Sequence, residues 1–559
     1  MIFEAVSFPN SRSLSAKRAW LTGKITSQLL FPAACLLVAF LPSKAWGAER
    51  VYINYGPVEF SLPISSLTAY AKEGKIDSEL EIYAGYVNSK QLSQLREALL
   101  TRIDVTPVAT SQFLYSPIGE ILLRRLGEVI QTKAHQSGFY ALRSALILSA
   151  ASPEGLTLLN VLQKFPTYGI RLNSTRAFEI VDELSRVIQQ TEKAIAAIEK
   201  QSSTEINAKS VNFSQMIDLR QSGPISFTKK SLVMNDAKRD RSFPVDLYLP
   251  DIGRQHAPVI VISHGFGNDR STFIYLAEHL VSYGFAVAVL EHPGSNAKQL
   301  QAIINGLANE VVPPKEFVDR PLDIKYLLNQ LERDFSVNDR LNLQQVGVIG
   351  QSFGGYTALA LAGAEINFDQ LAKDCLKLDN TLNLSLLLQC RAVELHQAKF
   401  DLHDSRIKAA IAINPIDSSI YGATELAKIN VPVMLVASSA DTIAPPLLEQ
   451  IQPFTWLTAK EKYLVLLKQG THFSTLAKPD PNSTFIPLSP DTLGPDPTGT
   501  YTYMKALSTA FFQTHLSNNS EYSPYLSAGY AQLISQEPIS LILIKSLTPN
   551  QIDGLVETP

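Results

Sequence analysis

A serine set between two glycines, in the run Gly350-Gln351-Ser352-Phe353-Gly354, constrains this chain more than any other feature. The apolar residues 346–349 read as a short strand before it, and residues 356–362, rich in Ala and Leu, read as a helix after it. A serine at so sharp a strand-to-helix turn is held in a strained backbone conformation, and side chains two residues to either side would strike neighbouring backbone. Gly350 and Gly354 remove those side chains. The pattern therefore reads as a device for presenting the Ser352 hydroxyl rather than as a glycine-rich turn with an incidental serine.

Such a turn belongs at the edge of a sheet, and the surrounding sequence supplies one. From about residue 223, short Val- and Ile-rich runs at 259–263, 285–290, 346–349, 409–413, 433–436 and 463–467 alternate with helical segments such as 272–281 and 322–331. Residues 243–249 alternate as a half-buried strand does. Strands alternating with helices imply an α/β domain whose mainly parallel sheet is covered by helices on both faces. Right-handed crossovers then gather the strand carboxyl ends, and the site, at one edge.

Residues 49–205 read as a mostly helical N-terminal domain. Asn88-Ser89, Ser116-Pro117, Ser152-Pro153-Glu154 and Ser174 are helix starts, and Phe178, Val181, Leu184, Ile188, Ile195 and Ile198 form a stripe of helical period. The polar stretch 201–209 reads as a linker, which gives a catalytic domain over 206–559. Within it, residues 365–405 are an insertion, either a lid over the site or a helical hairpin packed on the surface. The net charge of −3 carries no electrostatic footprint for nucleic acid. The N-terminal helices are instead candidates for peripheral contact with a membrane or partner.

The first residues differ from the rest. Lys17, Arg18 and Lys24 precede an apolar run over 29–41, and Ala45, Gly47 and Ala48 follow. This is the order of a secretory signal peptide, here assigned to residues 1–48, and it implies a periplasmic or extracellular mature protein. An uncleaved anchor is the alternative. Cys35 would leave with the signal, so the mature chain keeps Cys375 and Cys390. In an oxidising compartment they can form a disulfide, stabilising the fold by roughly 3 kcal/mol through loop closure; two buried free thiols are the other reading.

A serine needs a general base, and the order along such a chain is serine, acid, histidine. His472 follows the last strand-like run in Gly470-Thr471-His472-Phe473, whereas His264 and His292 precede the serine and His396 and His403 lie in the insertion. Asp441 stands in the turn after 433–436 and is the expected acid; Asp417, after 409–413, is its competitor. Backbone donors for an oxyanion are expected from the N–H of Phe353 and of Phe266, the latter in the turn Ser263-His264-Gly265-Phe266-Gly267. His264 supports that turn, and Glu291-His292-Pro293 reads as structural support. There is no H-E-x-x-H, paired-cysteine or glycine-rich phosphate pattern, so neither a metal nor a cofactor is expected.

His264-Gly265-Phe266-Gly267, Glu291-His292, Arg320-Pro321-Leu322-Asp323-Ile324 and Gly350-Gln351-Ser352-Phe353-Gly354-Gly355 resemble the platelet-activating-factor acetylhydrolase and dienelactone-hydrolase-like branch of the α/β-hydrolases. The N-terminal region resembles the DUF1400 domain of cyanobacterial proteins. The resemblance implies an α/β-hydrolase fold and hydrolysis of a small-molecule or lipid ester through an acyl-enzyme. A peptidase or amidase with the same triad, or an inactive hydrolase used for binding, are the alternatives. In the animal acetylhydrolases the acid follows the strand after the nucleophile helix. Asn414 stands at that place here, which favours Asp441 and loosens the transfer of acetyl-phospholipid specificity. Dienelactone hydrolases use a cysteine, and Ser352 in its place points to ordinary ester hydrolysis.

Overall fold

The computed structural model describes residues 47–55, 58–208, 212–334, 336–396, 399–477 and 490–555. The signal-peptide segment, apart from its last residues, lies outside the described residues. From Gly47 onward the chain forms one compact unit.

Its centre is a nine-stranded sheet. The strands are β5 (Phe227–Asp236), β6 (Arg241–Pro250), β7 (Ala257–Ser263), β8 (Ala286–Leu290), β9 (Leu341–Gln351), β10 (Ile407–Ile413), β11 (Val433–Ser438), β12 (Lys462–Leu467) and β13 (Leu541–Ile544). They are ordered β13-β12-β11-β10-β9-β7-β8-β6-β5. All pairs from β8 to β12 are parallel, and the antiparallel pairs are β5–β6, β6–β8 and β12–β13 at the two ends. This is the mainly parallel sheet that the alternating pattern implies.

The side-chain period of two splits each central strand between two cores. Val259, Val261, Val346, Val348, Ala410, Ala412, Leu464 and Leu466 face one side, with Phe317, Ile324, Leu327 and Leu331 of the helix Glu316–Arg333. Ile260, Ile262, Ile349, Ile411, Ile413, Val436 and Val465 face the other, with Leu276 and Leu280 of the helix Ile274–Val281 and with Met504, Leu507 and Phe511 of the helix Thr498–His515. Both faces are thus dry, and only the strand ends are left for chemistry.

The N-terminal region is not helical throughout. β1 (Arg50–Tyr55), β2 (Val58–Pro63), β3 (Ile130–Thr132) and β4 (Gly169–Leu172) form a small sheet in the order β2-β1-β4-β3. β1 pairs with β4 in parallel, more than a hundred residues away, so no local pattern announces it. The helix starts at Asn88 and Ser116 hold: Asn88 closes a capping box, and the Ser116 Oγ accepts the Gly119 N–H at 3.2 Å. Ser152-Pro153-Glu154 instead forms a turn, and the next helix, Leu158–Lys164, is capped by Thr157.

Of the stretch 201–209, expected as a linker, residues 201–208 continue the helix Ser174–Ala208. The reason is tertiary. Ala194 and Ile198 of this helix enter the main core. Glu205 accepts the N–H groups of Lys545 and Ser546 at 3.1 and 3.2 Å, just past β13.

The insertion 365–405 folds as short helices, Phe368–Asp374 and Leu384–Gln389, with a Cys375–Cys390 disulfide between them. The buried Glu449 carboxylate anchors it, accepting from Gln389 Nε2 at 2.9 Å and from Asn383 Nδ2, and from the Asp417 and Ser418 N–H groups at 2.8 and 3.0 Å. The Ser385 N–H donates to the Ile443 carbonyl at 2.8 Å. The insertion therefore packs firmly beside the loop after β11.

Candidate active site

Ser352 joins β9 to the helix Phe353–Ala362 with φ 56° and ψ −116°, a backbone conformation that L residues rarely adopt. Its N–H donates to the Ile413 carbonyl of β10 at 2.8 Å, which holds the turn. A Cβ on Gly350 would stand 1.8 Å from the Gly354 carbonyl oxygen, and one on Gly354 would stand 2.0 Å from the Ser263 carbonyl oxygen. The two glycines are therefore steric necessities of the elbow.

β9, β10, β11 and β12 are parallel neighbours, so the segments following them meet at one edge. His472 follows β12 and Asp441 follows β11. The His472 Nδ1 lies 2.6 Å from Asp441 Oδ2. Asp441 Oδ1 accepts the N–H groups of Ile443 and Ala444, both at 2.8 Å, so the carboxylate is fully engaged and aimed. With Nδ1–H donating to the acid, Nε2 is the basic nitrogen. The His472 backbone is tied to the nucleophile turn, because Gln351 Nε2 donates to the His472 carbonyl at 3.1 Å. Ser352 retains 8% exposure where Ser263, one strand away, has none.

Asp417 sits elsewhere. It is fully buried, neither carboxylate oxygen has a hydrogen-bond partner among the described residues, and burial, with Glu449 beside it, pushes its carboxyl well above the usual range. A carboxyl so placed, with no contact to His472, does not orient the base. The oxyanion candidates follow β7 and β9. Phe353 is the first residue of its helix, and Phe266 lies in the turn after β7. That turn is held by the Gly267 N–H, which donates to the Ser295 carbonyl at 2.9 Å. Among the described residues, no group of three or more His, Cys, Asp or Glu side chains is placed to hold a metal ion.

Beneath the Phe266 turn lies a buried polar network that was only partly legible. Ser263 Oγ lies 3.0 Å from His292 Nε2, and His292 Nδ1 lies 2.9 Å from Asp323 Oδ2. Asp323 also accepts from Arg239 at 2.9 Å and from Arg241 at 2.8 Å. Arg320 is fully buried; it donates to the Ser295 Oγ at 2.6 Å, to the Ser263 Oγ at 3.2 Å and to the His264 carbonyl, with its guanidinium over the Phe353 ring. His264 Nε2 accepts the His292 N–H at 3.0 Å. Burial, then the Arg320 charge, push both His264 and His292 well below the usual imidazole range, so both are neutral. The motif reading assigned His264 and His292 to support. It did not place Ser263, Arg320 or Asp323 in a network, although Arg320 and Asp323 share one helix face at i, i+3.

A mainly parallel sheet, helices on both faces and a serine elbow at its edge make this the α/β-hydrolase fold. Residues 47–173 match the family model described as alpha/beta hydrolase of unknown function (DUF1400). Residues 248–319 match that of platelet-activating factor acetylhydrolase, isoform II, so both matches are to hydrolase families and agree with the resemblance carried by the motifs. No curated protein matches the chain.

Proposed function

We propose that the protein is an exported serine hydrolase of carboxylic esters, acting on lipid-like or other apolar esters through an acyl-enzyme at Ser352. The observation that carries this reading is the His472–Asp441 contact of 2.6 Å, at the same sheet edge as a serine held at φ 56°. In this scheme the Ser352 Oγ attacks the ester carbonyl carbon as His472 Nε2 takes its proton. Asp441 stabilises the imidazolium, and the Phe353 and Phe266 N–H groups receive the oxyanion. His472 then returns the proton to the leaving alcohol. Water repeats the sequence on the acyl-enzyme and frees the acid. The Cys375–Cys390 disulfide supports export, since such bonds persist in oxidising compartments.

The test is hydrolysis of a panel of p-nitrophenyl esters by the purified protein and by Ser352→Ala, with fluorophosphonate labelling of both. Serine-dependent turnover and labelling at Ser352 are expected. Equal turnover by the two proteins would sink the assignment.

A further inference from the structure

Asp441 fixes the tautomer and rotation of the His472 ring, but it does not fix where the ring sits. That depends on the backbone at His472, which lies in a loop beyond the end of β12. Two buried side-chain amides hold that backbone by one atom. Gln351 Nε2 and Asn414 Nδ2 donate to the same His472 carbonyl, at 3.1 and 3.2 Å, and occupy both of its acceptor positions. Gln351 is 1% exposed and Asn414 fully buried.

Each amide also reaches another part of the site. Gln351 directly precedes Ser352. Its Oε1 lies against Gly265, where a Cβ would stand 2.3 Å away, so the same amide braces the turn that carries the Phe266 N–H. Asn414 follows β10 with φ 42°, its N–H donates to the Val436 carbonyl at 2.8 Å, and its Nδ2 also donates to Ser438 Oγ at 3.1 Å, on the strand that leads to Asp441.

We infer that Gln351 and Asn414 are positioning residues for the general base: a two-amide clamp that locks His472 in register with Ser352, the oxyanion turn and the acid loop. This rests on the reading of Ser352, His472 and Asp441 as a triad. Without one donor, a buried carbonyl shifts to find another, and a displacement near 1 Å at a reacting group lowers turnover about a hundredfold.

The test uses Gln351→Met, which keeps the side-chain length and removes the donor, with Asn414→Ala as a second variant should the first fail to fold. Ester turnover, fluorophosphonate inactivation rate and thermal unfolding are measured for each and for the double variant. The clamp requires kcat and the inactivation rate to fall together by about 10- to 100-fold with KM changed less than about twofold. It also requires the double variant to lose less than the product of the single losses, because both act on one carbonyl. A wild type that turns over with variant kcat unchanged, or a rise in KM alone, overturns the clamp and leaves the triad standing. A wild type with no Ser352-dependent turnover overturns the triad and the clamp with it.

Discussion

Two sets of serine, histidine and aspartate lie at the same edge of one sheet, and they differ in what the serine faces. Ser263, His292 and Asp323 form an unbroken hydrogen-bonded chain, each residue fully buried, and the Ser263 oxygen also receives a guanidinium N–H from Arg320. Ser352 stands one strand away, since Ser263 and Gly350 are partners in the β7–β9 register. Its backbone is strained, it keeps a remnant of exposure, and His472, at the same sheet edge, is braced by Asp441. Bonding pattern alone does not make a nucleophile. A hydroxyl bonded to both His292 and Arg320 inside a core has no room for a carbonyl carbon. The difference lies in the backbone: Ser263 ends a regular strand, and Ser352 is thrust out by an elbow.

The comparison breaks most sharply at the two serines. Ser352→Ala is expected to lower kcat for a p-nitrophenyl ester by about 10⁴- to 10⁶-fold with the unfolding midpoint nearly unchanged. Ser263→Ala is expected to do the reverse. It leaves His292 and Arg320 each short of a buried partner, which costs about 1–3 kcal/mol of stability, and kcat per folded molecule changes by less than about tenfold. Steady-state kinetics paired with urea denaturation reads both. A large kcat loss for Ser263→Ala at full stability would mean that the buried chain takes part in the chemistry.

The aspartates extend the contrast. Asp441→Asn should lower kcat by about 10⁴-fold through the wrong histidine tautomer. Asp323→Asn should instead cost about 3–5 kcal/mol, because Arg239 and Arg241 lose their shared buried anion. Denaturant midpoints for the two variants, measured at one pH, decide between these outcomes.

How legible each set was follows from the range of the interactions that make it. The Ser352 elbow was readable because its requirements are local: the glycines, the strand and the helix all lie between residues 341 and 362. His472 and Asp441 were singled out by order along the chain, and the structure sets them in contact because the parallel sheet repeats strand and loop in sequence and gathers the loops at one edge. The buried chain draws Ser263, His292, Asp323 and Arg320 from three separate segments, so no motif contains it. β1 escaped for the same reason, since its parallel partner β4 comes after a hundred residues of helical pattern. The stretch 201–209 is polar as linkers are, yet residues 201–208 are helical because Glu205 holds backbone N–H groups near the far end of the chain.

The disulfide offers a smaller effect on the acid's side of the comparison. Removing it with Cys375→Ala and Cys390→Ala should lower stability by about 3 kcal/mol, the loop-closure value for a loop of about 15 residues. Glu449 still holds Asn383 and Gln389 in this variant, so kcat on a short-chain ester should change only a few-fold. Unfolding with and without a reductant, followed by an ester assay, measures both. A collapse of kcat would show that the crosslink, rather than the Glu449 contacts, keeps the Asp441 loop in place.

The gentlest test is pH, and it probes the buried set. His264 and His292 have folded pKa values well below the ordinary value near 6.5, burial being the main cause and the Arg320 charge the next. Below pH 6.5 the unfolded chain takes up protons at these positions while the folded chain does not. The unfolded state then binds more protons, so stability rises with pH in this window and is lost as pH falls through it. Each histidine kept neutral contributes up to about 1.4 kcal/mol per pH unit to that slope. His279, also buried, is pushed down to about 4 by burial and then by Lys505, and adds to the slope until that pH. His279→Leu removes one such group without breaking a hydrogen bond of the Ser263–His292–Asp323 chain. It should flatten the fall in stability between pH 6.5 and 4 by about one histidine's share and leave ester turnover near pH 7 as it was. His292→Gln should also flatten the slope, but from a lower starting stability, because Asp323 and Ser263 lose a ring that satisfied both. Urea midpoints at half-unit pH steps distinguish the two. Parallel curves for wild type and His279→Leu would show that His279 is not held neutral, and parallel curves for wild type and His292→Gln would show the same of the buried chain.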